Sequence, residues 1–288
     1  MKFSSKVEKC GLSPMRKFHP YAVAAEAKGK KIYHLNIGQP DVETPQQFFD
    51  TIREFNQPVL EYAPSPGMPV LIDAIQKYYD DLDMHFEKDE ILITTGGSEA
   101  LQIVLECILD NGDEILIPEP FYPNYNTMVN TCGARIGCIL TRNHELLGHA
   151  LKYCQARLSV ATLDQVASAA LYQVDASYFA AVREEYKRRR DTVVAKLREI
   201  PGVVFDCPKG AFYLMAALPI DDADNFQKWL LEEFDDNGDT VMFAPGAPMY
   251  VTPGKGKNEI RIAYILKQDK LERAMDLLAL GIKAYNNR

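Results

Sequence analysis

The spacing of apolar and polar positions divides the chain into two stretches of different rhythm. Over "MPVLIDAIQKYYDDL", residues 68–82, apolar Val70, Leu71, Ala74, Ile75 and Tyr78 recur with the period of an amphipathic helix. "EILITTGGSEALQIVLECIL", residues 90–109, predicts a β-branched strand, a Gly-Gly turn and a helix carrying Leu101, Val104, Leu105 and Ile108. "IYHLNIGQPD" (32–41) and "DEILIPEPFYPNYNTMV" (113–129) repeat the opening of that pattern, a short strand running into a loop. Alternation of strand and helix predicts an α/β fold with a mostly parallel sheet.

After residue 140 the rhythm changes. Helical periods run over 143–156, 162–173 and about 177–199. "PGVVFDCPKGAFYLMAAL" (201–218) predicts two strands around Pro208-Lys209-Gly210, "NFQKWLLEEF" a helix, "EIRIAYIL" (259–266) a strand and "DKLERAMDLLALGIKAY" (269–285) a closing helix. The expected division is a large α/β domain at 37–175 and a small α+β domain at 176–288, to which the arm 1–36 contributes.

Composition narrows the partners. A net charge of −8 argues against nucleic acid or an anionic membrane. The basic run Lys187–Arg190 lies on a helix with the apolar stripe Val182, Tyr186, Val193, Leu197 and Ile200, and reads as a solvated face. No apolar run approaches the ~18 residues of a membrane span, and the first residues lack the apolar core of a secretory signal, so a cytoplasmic protein is expected. Six cysteines without a CxxC pair read as reduced thiols. His144 and His149, five apart, share no helical face, and no metal site is expected.

Three short strings suggest chemistry. In "TTGGSEAL" (94–101) a strand ends, two glycines permit a tight turn, and Ser98 stands where a helix N-cap belongs. Backbone N–H groups at such a start favour a phosphate, though an ordinary capped helix reads the same way. The rigid aromatic loop "PEPFYPNY" (118–125) follows the next strand, where α/β proteins bind ligands, or simply packs. Arg261 sits inside the apolar strand "EIRIAY", and a buried arginine requires either a protein carboxylate or a bound anion.

Taken in order, "NIGQPD", "YAPSPG", "TTGGSEAL", "PEPFYPNY", "GARIG", "PKGAFY" and "EIRIAY" resemble the class I/II aminotransferases, pyridoxal-phosphate enzymes of fold type I. The resemblance covers nearly the whole chain. It implies amino-group transfer between an amino acid and a 2-oxo acid in a homodimer. Gly38 is then expected beside the substrate carboxylate, and Tyr62 is expected to reach the cofactor phosphate of a neighbouring subunit. Ser98 and Glu99 would supply backbone donors to the subunit's own phosphate, Tyr122 would stack on the pyridine ring, and Arg135 would pair with the phosphate. Arg261 would clamp the substrate α-carboxylate with two parallel hydrogen bonds.

The same resemblance requires parts that the chain lacks. It calls for an Asn in "NPxNPTG", an Asp on the pyridine nitrogen, a Tyr in "DExY", and a Schiff-base Lys in "SxSK" eight residues before the phosphate arginine. None of these strings occurs; Thr127 stands eight before Arg135, and no lysine lies between Lys88 and Lys152. That lysine binds the cofactor and carries the proton, and the Asp keeps the ring an electron sink. Without them the resemblance implies at most weak cofactor binding and transamination lowered by orders of magnitude. The shortfall matches about three βα units, on the order of 100 residues. "CGARIG" suits both the end of one family segment and the start of another, so a deletion junction is expected near 127–137. Three readings follow: a shortened aminotransferase inactive by itself, a non-catalytic dimer partner of a full-length relative, or a deletion product with no role of its own.

Overall fold

The computed structural model describes residues 16–59, 61–110, 113–123, 125, 137–157 and 159–288. In chain order the elements are α1 (His19–Ala27), β1 (Lys31–His34), α2 (Gln46–Glu54), α3 (Pro69–Asp80), β2 (Ile91–Thr94) and α4 (Gly97–Ile108). There follow β3 (Gly137–Leu140), α5 (His144–Ala156), α6 (Thr162–Leu171) and α7 (Ala176–Arg198). The last part holds β4 (Val204–Phe205), β5 (Tyr213–Ala217), α8 (Ala223–Glu232), β6 (Asp239–Met242), β7 (Ala244–Pro245), β8 (Glu259–Ala263) and α9 (Gln268–Asn286). Two compact units emerge, one from residues 43–116 and 124–176, the other from 16–42, 117–123 and 177–288.

Local chemistry sets the helix starts. Pro69 opens α3, where its missing N–H costs nothing. The Asn143 side chain accepts the Leu146 N–H at 3.0 Å to cap α5, and Asp222 accepts the Asn225 N–H at 3.0 Å to cap α8.

In the first unit β2 pairs antiparallel with β3, Ile91 opposite Leu140 and Thr94 opposite Gly137. Leu71, Ile75, Ile91 and Ile93 form one small core, and Leu92, Ile103, Leu147 and Ala150 form another. Residues 113–117, expected as a strand, make no strand pairing among the described residues, and Leu116 is 93% exposed. A strand of this apolar kind is stable when neighbouring strands and helices cover both faces; among the described residues no strand pairs with it.

In the second unit β4, β5, β8 and β7 form an antiparallel sheet in that order, and β1 pairs parallel with β6, Lys31 opposite Asp239. β6 and β7 went unread in the sequence, although Thr240, Val241, Met242 and Phe243 carry the β-branched, apolar signal of a strand. The core here is continuous, with Phe226, Tyr264, Leu197, Ile260 and Ile262 all fully buried.

The basic run on α7 does not form one solvated face. Lys187 and Arg188 are exposed, whereas Arg189 is 4% exposed and turned inward on the stripe of Val193 and Leu197. Two carboxylates make this burial possible: Glu185, one helical turn earlier at 2.8 Å, and Asp41, which the helical spacing does not reveal, at 2.6 Å.

Candidate active site

In the first unit, β2 delivers the chain into α4 through Gly96, whose φ of 101° only glycine adopts without strain. Gly96 is therefore the N-cap and Ser98 the second helical residue, so the helix starts two residues earlier than expected. The first N–H groups of α4 have no intrahelical acceptor by construction of a helix, and a Cβ on Gly97 would meet nothing within 4 Å. The turn is held from behind. Glu99 accepts the Thr95 N–H at 2.6 Å and pairs with Arg157 at 2.9 Å, and Arg157 also donates to the Ile93 carbonyl at 2.9 Å. Arg157 was missed in the sequence because nothing in its α5 spacing points to Glu99. The donor set and open space suit a phosphate at this helix start.

Tyr62 belongs to the same unit. Its segment is fixed by the Thr162 hydroxyl, which donates to the Glu61 carbonyl at 2.9 Å, and by Gly67, where a Cβ would sit 2.2 Å from Ile93. The Tyr62 side chain itself is 80% exposed.

Gly38, Tyr122 and Arg261 lie in the second unit. Arg261 stands at the centre of β8, opposite Met215 on one side and Ala244 on the other. Its Nη2 donates to the Asn36 carbonyl at 3.0 Å, and its guanidinium lies 5.3 Å from the Tyr213 ring centroid. No carboxylate comes within ion-pair distance of Arg261 among the described residues, and its buried Nε has no partner, like the neighbouring buried Asn36 Oδ1. Desolvation pushes the Arg261 pKa below its ordinary value, against the pull of Tyr213 and Tyr122. Among the described residues, then, the half-buried guanidinium has the Asn36 carbonyl and no carboxylate as its acceptor. Gly38 faces the Phe212 ring, which a Cβ would approach to 2.6 Å, so close packing against that ring excludes a side chain there. Glu119 holds the aromatic loop: its carboxylate accepts the Thr252 hydroxyl at 2.7 Å and the Thr252 N–H at 2.9 Å. Arg135, Thr127 and the expected junction lie outside the described residues.

The sequence pattern of the family Aminotransferase class I and II matches residues 30–136 and again 131–278. The chain belongs to the class I and II aminotransferases. These are pyridoxal-phosphate-dependent enzymes, and the aminotransferase fold of this chain is fold type I. The solved alanine aminotransferase from Pyrococcus furiosus superposes with a TM-score of 0.86 at 19% identity, covering 98% of this chain and 100% of that one. A Bacillus subtilis aspartate aminotransferase is 23% identical in an alignment of 408 residues that covers 99% of this chain and 100% of the relative. A probable N-acetyl-LL-diaminopimelate aminotransferase from the same organism is 33% identical over 142 residues, 48% of this chain and 35% of its own length. The chain thus spans about a third of the curated relatives it matches at 31–38% identity. For a member of this family it is short, 288 residues within an alignment of 408. The two family matches share residues 131–136. Among the described residues no helix is long and apolar enough to cross a membrane.

Proposed function

We propose that the chain descends from a full-length aminotransferase through an internal deletion, keeps its carboxylate-binding arginine, and transfers no amino group by itself. One observation carries the reading: no lysine occurs from residue 89 to 151, and Thr127 takes the place eight residues before Arg135. The overlap of the two family matches on residues 131–136 supports a junction there, since one short string serves both sides. Residues 37–175 are then a shortened cofactor domain, and 176–288 with the arm 1–36 a nearly complete small domain. The ligand of Arg261 is the carboxylate of an amino acid or 2-oxo acid, supported by a half-buried guanidinium with no carboxylate beside it among the described residues. The exposed Tyr62 supports assembly as a dimer in which this ring crosses to the partner.

The phosphate end of pyridoxal phosphate fits the start of α4, whereas its aldehyde meets no amine supplied by residues 89–151. Incubation with pyridoxal phosphate, borohydride reduction and mass mapping is expected to give no single stoichiometric phosphopyridoxyl-lysine. Assay with L-aspartate or L-alanine and 2-oxoglutarate is expected to show no amino transfer above the free-cofactor rate. One uniquely modified lysine together with measurable transfer would overturn the reading.

A further inference from the structure

Arg189 is the one buried cation among the described residues, and it lies on neither strand nor loop of the candidate site. Its guanidinium nevertheless fastens both. Nη1 donates to Asp41, three residues beyond Gly38, at 2.6 Å, and to the Ile265 carbonyl, four residues beyond Arg261. Nε donates to Glu185 on its own helix at 2.8 Å, which fixes the rotamer. The Tyr186 ring lies 5.3 Å from the guanidinium and 6.2 Å from the ring of Phe212, the side chain that Gly38 faces.

Loops on their own drift, and a site built from two of them needs a rigid element to hold their spacing. Gly38 lies in a loop without regular structure, joined to the sheet near Arg261 by the Asn36 and Leu35 carbonyls. Arg189 closes this connection from the far side, so that loop, β8 end and α7 form one bonded ring. A guanidinium suits the task because its planar fork reaches two carboxylates and a carbonyl in fixed directions, which an ammonium does not. Neutralising two carboxylates with one buried cation is a costly way merely to hold a helix. Its benefit lies in the geometry of what Asp41 and Ile265 carry beside them.

We propose that Arg189 is a positioning residue that sets the distance between Gly38 and Arg261 and thereby tunes carboxylate binding. The inference rests on the reading of Arg261 as a carboxylate clamp. The test uses the full chain, 15N-labelled, titrated with 2-oxoglutarate and followed by NMR. Wild type is expected to saturate and Arg261→Lys to abolish binding. Arg189→Lys and the milder Asp41→Asn, which leaves the bonds to Glu185 and Ile265 in place, are each expected to weaken binding roughly five- to tenfold. Both should shift the Gly38 amide before any ligand is added. Wild-type affinity in folded Asp41→Asn with an unmoved Gly38 amide would overturn the positioning role while leaving the clamp standing. Absence of binding to wild type, or full binding by Arg261→Lys, would sink the clamp and the positioning role with it.

Discussion

The two units handle the same chemistry of burial with different resources. In the second unit, twenty-five buried side chains from β1, α7, β5, α8, β6, β8 and α9 pack as one cluster. In the first, the described core is two separate clusters of seven buried residues each, on opposite faces of a two-stranded pair. A pair of strands is marginal without further strands or well-packed helices. The first unit also exposes Leu116 at 93%, Ile108 at 57% and Leu101 at 45%, apolar surface that a wider sheet would cover. The difference teaches that the two units differ in how they close their cores: the unit holding Arg261 packs around one continuous cluster, and the described part of the other divides its core across a strand pair.

The largest expected effect tests that continuous cluster. Phe226 is fully buried, its ring 4.9 Å from that of Tyr285 and 5.8 Å from that of Phe243. Phe226→Ala is expected to cost about 3–5 kcal/mol and to melt the second unit as a whole in calorimetry. A loss below about 1 kcal/mol would mean that this core is looser than its packing implies.

The comparison sharpens at the exposed segment. Residues 113–117 combine β-branched apolar side chains with a backbone lacking strand partners among the described residues, the recipe for association through an edge. Leu116→Lys is expected to lower light scattering and the concentration-dependent mass in sedimentation, without moving the melting of the second unit. Unchanged association would place the sticky surface elsewhere.

Equal damage to both units asks how much stability each holds in reserve. Asn143→Ala and Asp222→Ala each remove one side-chain cap of the same kind, worth about 1 kcal/mol. By hydrogen exchange, the first is expected to speed opening throughout α5, β2 and β3. The second should leave β5 and β8 protected, because a larger stability remains. The reverse order would contradict the difference between the cores.

Helices of both units were legible because amphipathic helices announce themselves: 162–173 and about 177–199 were read, and α6 in the first unit spans Thr162–Leu171 while α7 spans Ala176–Arg198. What escaped was set by distant partners. A run of four cations reads as solvated until Asp41, 148 positions away, turns out to face Arg189. Ser98 reads as a cap until Gly96 takes a positive φ and caps the helix two residues earlier. Periodicity predicted a strand at 113–117, but strands are completed by neighbours, and this segment has none among the described residues. For Arg261 the sequence left carboxylate or anion open, and the fold adds a third acceptor, the Asn36 carbonyl, with no carboxylate beside it among the described residues.

The smallest effect concerns the aromatic loop that the second unit retains. Hydrogen bonds from the Thr252 hydroxyl and N–H, then from the Val251 N–H, hold the Glu119 pKa below the ordinary 4.5, against a desolvation that raises it. A carboxylate with a lowered folded pKa contributes stability above its unfolded value and loses it as pH falls through the folded one. The loop should therefore stay fastened from neutral pH down to about 4.5 and loosen below that. Glu119→Gln keeps one acceptor but no charge, so its loop should already exchange faster at pH 7 and show little further change on acidification. The measurement is the exchange rate of the Val251 and Thr252 amides between pH 7 and pH 3. A wild-type profile parallel to that of Glu119→Gln would show that the loop is held by the Phe121 N–H on the Met249 carbonyl, at 2.9 Å, rather than by the carboxylate.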